Sequence, residues 1–218
     1  MATNKYIAWF KDVDKEDLPS VGGKGANLGE MVRAGFSVPT GFIVTSKAYL
    51  KLLTVDRLRE KIASHLAFLD VHDPVQLNEC AEKIKKDILA TPPPKEIVTE
   101  IKQAYRRLGK SPLVAIRSSA TAEDLPTASF AGQQKTFLNV KGEKDLIEAV
   151  RGSWASLFEA RAIFYREEQG FDHFKVSLAS IVQKMIQSDV SGVMFTLDPI
   201  SNDKKKIVIE LRMVLSLY

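Results

Sequence analysis

The segment 117–136 constrains the fold of this chain more than any other feature. It lies between two apolar runs typical of β-strands, residues 113–116 and 137–140, yet it contains few large hydrophobic side chains. A connection of this length inside a compact domain is uncommon unless it serves a function. Its hydroxyl, amide and guanidinium groups favour a lid that folds over a ligand. A long polar loop without a ligand is the alternative.

Around this segment the sequence alternates amphipathic helical periodicity with short apolar runs. The last three apolar runs follow one another without a helix between them, which predicts antiparallel hairpins and the α+β class. Three successive helices within about 56–109 predict a small helical insertion. The predicted helices are 28–34, 47–53 with Ser46 as its N-cap, 57–69, 75–89, 96–108 and 143–168. The predicted strands are 6–10, 41–45, 113–117, 137–140, 176–186, 192–197 and 206–211.

The composition is that of a globular protein with a sizeable core. Of 218 residues, 45% are hydrophobic and 27% are charged, and the net charge of +4 favours anionic ligands without indicating nucleic-acid binding. A single cysteine, Cys80, rules out an intramolecular disulfide and favours a reducing compartment. No apolar run reaches the ~20 residues of a membrane span, and no signal peptide is present. We therefore expect a cytoplasmic protein that binds neither nucleic acid nor membranes.

A glycine-rich stretch at 21–27 is a candidate phosphate site. Glycine lets backbone N–H groups approach an anion closely, and the helix predicted behind the stretch adds partial positive charge. Lys24 would add a full charge to the same anion. The spacing differs from a Walker A motif. The pattern therefore leaves open both a phosphate site and a plain glycine turn with a surface lysine.

Arg117 is the second candidate for holding phosphate. It ends a predicted strand, where a guanidinium can project into a cleft and grip a phosphate with two hydrogen bonds. Hydroxyls of the following loop and backbone N–H groups near Gly132 could join it. The hydroxyls concerned belong to Ser118, Ser119, Thr121, Ser129 and Thr136.

Other polar residues leave more alternatives open. Gln183 lies in a late apolar strand that could offer an adenine slot or could simply be amphipathic. Glu123 and Asp124 could hold Mg²⁺, keep the loop solvated or pair with Arg117. The three histidines have neither metal-ligand spacing nor a carboxylate partner nearby in the sequence. These residues by themselves therefore do not predict a metal site.

Taken together, the motifs resemble the nucleotide-binding domain of the phosphoenolpyruvate synthase (pyruvate, water dikinase) family. They follow one another in the family's order from about residue 9 to about residue 210. The same motifs occur in rifamycin phosphotransferases, and they look less like pyruvate, phosphate dikinase. The motifs are VGGKGANLGEM (21–31), VPTGF (38–42), RSSATAEDLP (117–126), ASFAGQQ (128–134), TFLNV (136–140) and SGVMFT (191–196).

The resemblance implies an ATP-grasp-type domain that binds ATP with Mg²⁺ between two lobes. In such enzymes the β-phosphate passes to a histidine on a separate swivelling domain and then to pyruvate, or to rifamycin in the antibiotic-modifying members. Lys24 and Arg117 would hold the phosphates and act in catalysis. Gly132 and Thr136 would belong to the lid over them. Gln183 would lie near the adenine end.

The sequence departs from the family after residue 210. Family members continue from a strand like 207–210 into a Gly-Leu-Gly-Glu-type segment, whereas residues 211–218 form a divergent tail. The lobe that carries the family's metal-binding Glu and Gln is missing, as are the phosphohistidine and acceptor domains. We therefore expect residues 1–210 to form a partial ATP-grasp domain, incomplete at its C-terminus, that needs those parts in cis or in trans.

Three expectations follow from this incompleteness. The chain alone should bind ATP weakly or not at all, because its Mg²⁺ ligands are missing. It should not turn over. It should also self-associate through apolar surface that the missing lobe would cover. A non-catalytic nucleotide-binding module and a domain that has lost its ligand site are the alternatives.

Overall fold

The computed structural model describes residues 6–121 and 135–213. The chain divides into two compact units, Met1–Met185 and Ile186–Tyr218. In the first unit the described helices are α1 (Leu18–Arg33), α2 (Ser46–Leu53), α3 (Leu58–Leu66), α4 (Pro74–Ala90), α5 (Lys95–Leu108), α6 (Glu143–Ala155) and α7 (Ala160–Glu168). Its described strands are β1 (Ile7–Trp9), β2 (Gly41–Val44), β3 (Val114–Ala120), β4 (Thr136–Val140) and β5 (Leu178–Lys184).

The five strands of this unit form one antiparallel sheet in the order β1-β2-β5-β3-β4. Among the five strands of this sheet, β5 comes last along the chain. It nevertheless lies in the middle of the sheet, between β2 and β3. Helices combined with an antiparallel sheet confirm the α+β class. The predicted domain bounds, 1–210 with an insertion at 56–109 and a tail at 211–218, stay a prediction; α3, α4 and α5 fall within 56–109.

The two faces of the sheet are covered differently. One face packs against α1, and the small core between them includes Val21 and Ala26 from the helix and Ile43 and Ile181 from the sheet. The opposite face packs against α2, α5 and α6 and forms the larger core, which includes Phe42, Val44, Val114, Ile116 and Val182. Among the described helices, α1 is thus the one that covers the face of the sheet carrying Ile43 and Ile181.

The glycine-rich stretch is mostly helical, which corrects the prediction of a loop at 21–27. Helix α1 already begins at Leu18, and the residue inside it that leaves the helical conformation is Gly22, with φ 69° and ψ 169°. The other glycines permit close packing. A Cβ on Gly29 would overlap the carbonyl oxygen of Val13, and one on Gly25 would press on Ile43. The glycines were read as loop signals because sequence periodicity does not show which of them pack against other elements.

The predicted long helix 143–168 is two helices. A 3₁₀ turn at Ser156–Phe158 and an extended Glu159 separate α6 from α7. The break lets Phe158 enter the core, where it is fully buried, while Glu159 accepts a hydrogen bond of 2.8 Å from Lys85 on α4. Apolar residues recur with the helical period in both α6 and α7, so the sequence pattern does not indicate the break between them.

The second unit contains a hairpin of β6 (Val190–Phe195) and β7 (Val208–Met213). Alternate residues of a strand share a face, so Val190, Met194, Ile209 and Leu211 lie together on one face of the hairpin. Their side chains are 54%, 61%, 60% and 69% exposed. A two-stranded hairpin is at best marginally stable in water by itself, and this apolar face is a candidate for contact with other protein surface.

A membrane-spanning helix is not found in residues 6–121 and 135–213, since none of the helices there is both long enough and apolar enough.

Candidate functional site

The break in α1 rests directly on strand β3. A Cβ on Gly22 would overlap the hydroxyl and carbonyl oxygens of Ser119, so only glycine fits at this contact. Three residues later, the Gly25 N–H donates a hydrogen bond of 3.3 Å to Ser119 Oγ. Ser119 is fully buried and lies one residue before the end of β3. The break at Gly22 and the helical turn that follows it as far as Gly25 are here called the glycine turn. The glycine turn is therefore held against the carboxyl end of β3, the strand that carries Arg117.

Lys24 lies in the helical turn between these two contacts. Its side chain is half-buried, and it follows the non-helical Gly22 by two residues. The turn that resumes the helix brings partial positive charge from backbone N–H groups to the same place. Packing of Gly22 and Gly25 on Ser119 therefore brings Lys24 close to the end of β3.

Arg117 lies on the side of the sheet that α1 covers. It pairs in register with Thr136 on β4 and with Ile181 on β5. Directly opposite residues in an antiparallel sheet point to the same face, and Ile181 belongs to the core beneath α1. Three predicted site residues thus lie on one side of the sheet: Lys24 on the helix that covers it, and Arg117 and Thr136 on its strands. Arg117 is half-buried, and Thr136 is exposed.

Gln183 lies farther along the same face. It pairs with Ala115 on one side and Gly41 on the other, two positions beyond the pair formed by Ile181 and Arg117. Its Nε2 donates a hydrogen bond of 3.3 Å to the carbonyl oxygen of Pro39. Gln183 pairs with Ala115, which lies four residues, or about 13 Å, from Ser119 along β3. An elongated ligand could lie along this row.

The positive charge of Arg117 is not neutralised by the described chain. No carboxylate in residues 6–121 or 135–213 lies within ion-pair distance of its guanidinium, whereas Arg33 and Arg106 are paired. Arg33, for example, lies 2.9 Å from Asp14. A half-buried guanidinium without an internal counter-charge is suited to bind an anion.

Three hydroxyls that were predicted to donate to phosphate have other roles. Ser119 anchors the glycine turn, as described above. Ser118 donates to the carbonyl oxygen of Lys135 at 3.4 Å, and Thr121 donates to that of Ser177 at 3.2 Å. These contacts hold the carboxyl end of β3 to neighbouring segments. Sequence reasoning missed the anchoring role because it depends on a residue, Gly22, that lies far away in the chain.

Several predicted residues lie outside the described part of the chain. Gly132, which was assigned to the lid, and the possible Mg²⁺ ligands Glu123 and Asp124 fall within residues 122–134, and Ser129 falls there too. Their roles stay predictions. In the described ranges, no group of three or more His, Cys, Asp or Glu side chains is arranged to hold a metal ion.

All three histidines have carboxylate partners, which corrects the reading of the sequence, and His72 Nε2 lies 3.6 Å from Glu168. His65 Nε2 lies 2.9 Å from Asp87 on the neighbouring helix α4. His173 Nε2 lies 2.6 Å from Glu167, and its Nδ1 accepts a hydrogen bond from the buried Arg166. Burial, together with the Arg166 charge, lowers the pKa of His173. The His65 and His173 pairs lie on the side of the sheet opposite α1, away from Lys24 and Arg117.

Comparison with known proteins agrees with the resemblance seen in the sequence. A family model described as "Pyruvate phosphate dikinase, AMP/ATP-binding domain" matches residues 18–215. A probable phosphoenolpyruvate synthase of Methanothermobacter thermautotrophicus is 51% identical over 211 residues, covering 94% of this chain and 31% of the relative. The phosphoenolpyruvate synthase of Pyrococcus furiosus is 44% identical over 242 residues, covering 94% of this chain and 30% of the relative.

The chain thus spans less than a third of the length of these relatives. The match nevertheless covers most of the chain, including α1, the whole five-stranded sheet except β1, and the hairpin. This chain belongs to the pyruvate phosphate dikinase AMP/ATP-binding domain family.

Proposed function

We propose that this chain is the ATP-binding part of a dikinase-type phosphotransferase with an ATP-grasp architecture. The observation that carries the proposal is the packing of Gly22 and Gly25 on Ser119. This contact packs the turn that carries Lys24 against the strand that carries Arg117, so that both cationic residues lie on the same side of the sheet. Phosphoryl transfer depends mainly on such positioning and on neutralising charge on the phosphate oxygens.

The row of residues along β3 and β5 fits an extended nucleotide. Lys24 and Arg117 lie at one end, where they would grip the phosphates, and Thr136 is paired with Arg117 beside them. Gln183 lies about 7 Å farther along the strand direction, where the base would lie. ATP bound in this way would supply the phosphoryl group for transfer. The chain's own residues would orient it and balance its charge.

Mg²⁺ does not fit the described residues as a fully liganded ion, because they offer no cluster of ligands. We place its ligands outside residues 6–121 and 135–213. We assign Gly132, which lies outside those ranges, to the lid over the phosphates.

The rest of the reaction would need other parts of the enzyme. A histidine on another domain, in cis or in trans, would take the β-phosphate and pass it to pyruvate in the cytoplasm. Pyruvate is the acceptor favoured by the relatives, which are named phosphoenolpyruvate synthases. Rifamycin is the alternative acceptor, and a non-catalytic nucleotide-binding module is the alternative function.

A chimera tests the proposed function. In it, this chain replaces the matching region of the Pyrococcus furiosus phosphoenolpyruvate synthase, so that the relative supplies everything else. We expect the chimera to form AMP from ATP in the presence of pyruvate, and the 218-residue chain alone to form none. AMP would be measured by chromatography. A folded but inactive chimera would contradict the proposal, and AMP formation by the isolated chain would contradict the expected need for other domains.

Self-association is a separate proposal, based on the apolar face of the β6–β7 hairpin. We expect the elution volume of the purified chain to fall as its concentration rises in size-exclusion chromatography. Ile209→Glu puts a charge in the middle of that face and should restore the monomer. Ser191→Glu is the matched control, because it lies on the opposite face beside Arg212. A monomer at all concentrations would rule out this contact.

A further inference from the structure

A cavity of about 330 Å³ lies at the opposite end of the sheet from Ser119. Its walls come from β1 and the 3₁₀ turn after it, from the C-terminal part of α1 with the segment that follows, and from the end of α5. Trp9, Phe10, Val32 and Val38 give it an apolar interior. Lys11 and Arg107 also line it. None of the residues assigned to the nucleotide, Lys24, Arg117, Thr136 or Gln183, belongs to its wall.

The two cations of this cavity have no counter-charge. Within residues 6–121 and 135–213, neither Lys11 nor Arg107 forms an ion pair, and no carboxylate lines the cavity. The adjacent Arg106 behaves differently, since its Nε lies 2.6 Å from Glu143. Arg107 instead lies over the ring of Trp9, with 4.7 Å between its guanidinium carbon and the ring centroid. The indole face holds the guanidinium at the cavity wall and leaves its hydrogen-bond donors unused by any carboxylate.

We propose that this cavity binds a small organic anion with an apolar body. The carboxylate of such a ligand would lie between Lys11 and Arg107, and its body would pack on Phe10 and the two valines. Ligand sites of this size typically combine apolar walls with a few polar groups that set orientation. A volume of 330 Å³ accepts about ten non-hydrogen atoms, since one water takes up about 30 Å³ in the liquid. Its wall includes Gly41, the cross-strand partner of Gln183, so the cavity lies beside the end of the row where the base would lie.

Phenylacetate is a suitable probe, with a carboxylate, an aromatic body and the right size. Trp9 provides the signal, because its indole N–H resonance can be followed by NMR during a titration of the purified chain. Trp154 is the internal control, since it is fully buried elsewhere in the core. We expect a saturable shift of the Trp9 signal, with a Kd of about 1 mM, and no shift of the Trp154 signal.

Matched ligands test the role of charge. Phenylacetamide keeps the shape without the charge and should bind about tenfold more weakly. 2-Phenylethylamine carries the opposite charge and should give no saturable shift. Acetate lacks the apolar body and should give none either. Equal affinity for phenylacetate and phenylacetamide, or no saturable shift by about 20 mM phenylacetate, would overturn the proposal.

Variants test the residues. Arg107→Gln and Lys11→Gln should each weaken phenylacetate binding about fivefold, and Arg107→Lys should keep part of the affinity. Arg106→Gln is the matched control on the same helix and should bind like the wild type. Arg107 is exposed, so its replacement should leave the unfolding midpoint nearly unchanged. Equal losses in Arg106→Gln and Arg107→Gln would show that overall charge is responsible and would overturn the assignment.

Discussion

Gly22→Ala is expected to lower the free energy of unfolding by about 3 kcal/mol or more. Part of this loss comes from the backbone, because φ of 69° with ψ of 169° is a conformation that essentially only glycine adopts, and it costs a residue with a side chain about 1–3 kcal/mol. The rest comes from overlap of the new methyl group with Ser119, where overpacking typically costs about 1–3 kcal/mol. Because the overlap involves the carbonyl oxygen of Ser119, no side-chain rotation relieves it. Urea denaturation with an unchanged m value would measure the loss.

Gly35→Ala is the matched control for this experiment. Gly35 also has a positive φ, 83°, but nothing lies within 4 Å of the position where its Cβ would be. It should therefore lose only the backbone contribution, about 1–2 kcal/mol. The difference between the two variants measures the contact of the glycine turn with β3 together with the greater backbone strain at Gly22. Equal losses would mean that Gly22 does not pack on Ser119 as described.

Arg117→Ala is expected to weaken ATP binding about a hundredfold with little effect on stability. A guanidinium that makes two charge-assisted hydrogen bonds to phosphate contributes about 2–4 kcal/mol to binding. Arg117 has no internal ion pair among the described residues, so its removal leaves no unpaired charge behind. The binding would be measured by NMR, with the amide signals of residues 22–26 followed up to millimolar Mg-ATP.

Two further variants make the Arg117 result specific. Arg117→Lys should recover only part of the affinity, because an ammonium group lacks the planar fork that grips two phosphate oxygens. Arg33→Ala removes an equal charge from the end of α1, where it pairs with Asp14, and should leave ATP binding unchanged. If Arg117→Ala binds ATP as the wild type does, Arg117 does not hold the phosphates. If the wild type itself shows no response, the site is incomplete in this chain alone, and the same substitutions are then compared in the chimera by AMP formation.

The helices and strands that carry the site could be predicted well where the local pattern is strong. The helix predicted after an N-cap at Ser46 differs from α2 by one residue, because Ser46 is already helical and Thr45 is the N-cap, and the predicted 96–108 differs from α5 by one residue at its start. Such segments show a full apolar period and clear end signals, which depend only on nearby residues. The α+β class and the family resemblance followed from the same local information.

Predictions failed where packing between distant segments decides the local conformation. The glycines of α1 looked like a loop, and tertiary contacts show that Gly25 and Gly29 are helical and closely packed. Arg166 shows the same limit. It lies in a helix with ordinary amphipathic spacing, yet it is fully buried, and burial lowers its pKa to about 10. Nothing near it in the sequence marks it as a core residue.

The sequence by itself determined the type of most elements, the α+β class and the family, because periodicity and ordered motifs are properties of short segments. Only the tertiary structure decided that β5 lies between β2 and β3, and that α1, which carries Lys24, packs on the side of the sheet where Arg117 lies. It also decided that Lys11 and Arg107 share one cavity. The physical reason is the same in each case. These placements arise from packing and strand pairing between residues far apart in the chain, and no local pattern records which partners will meet.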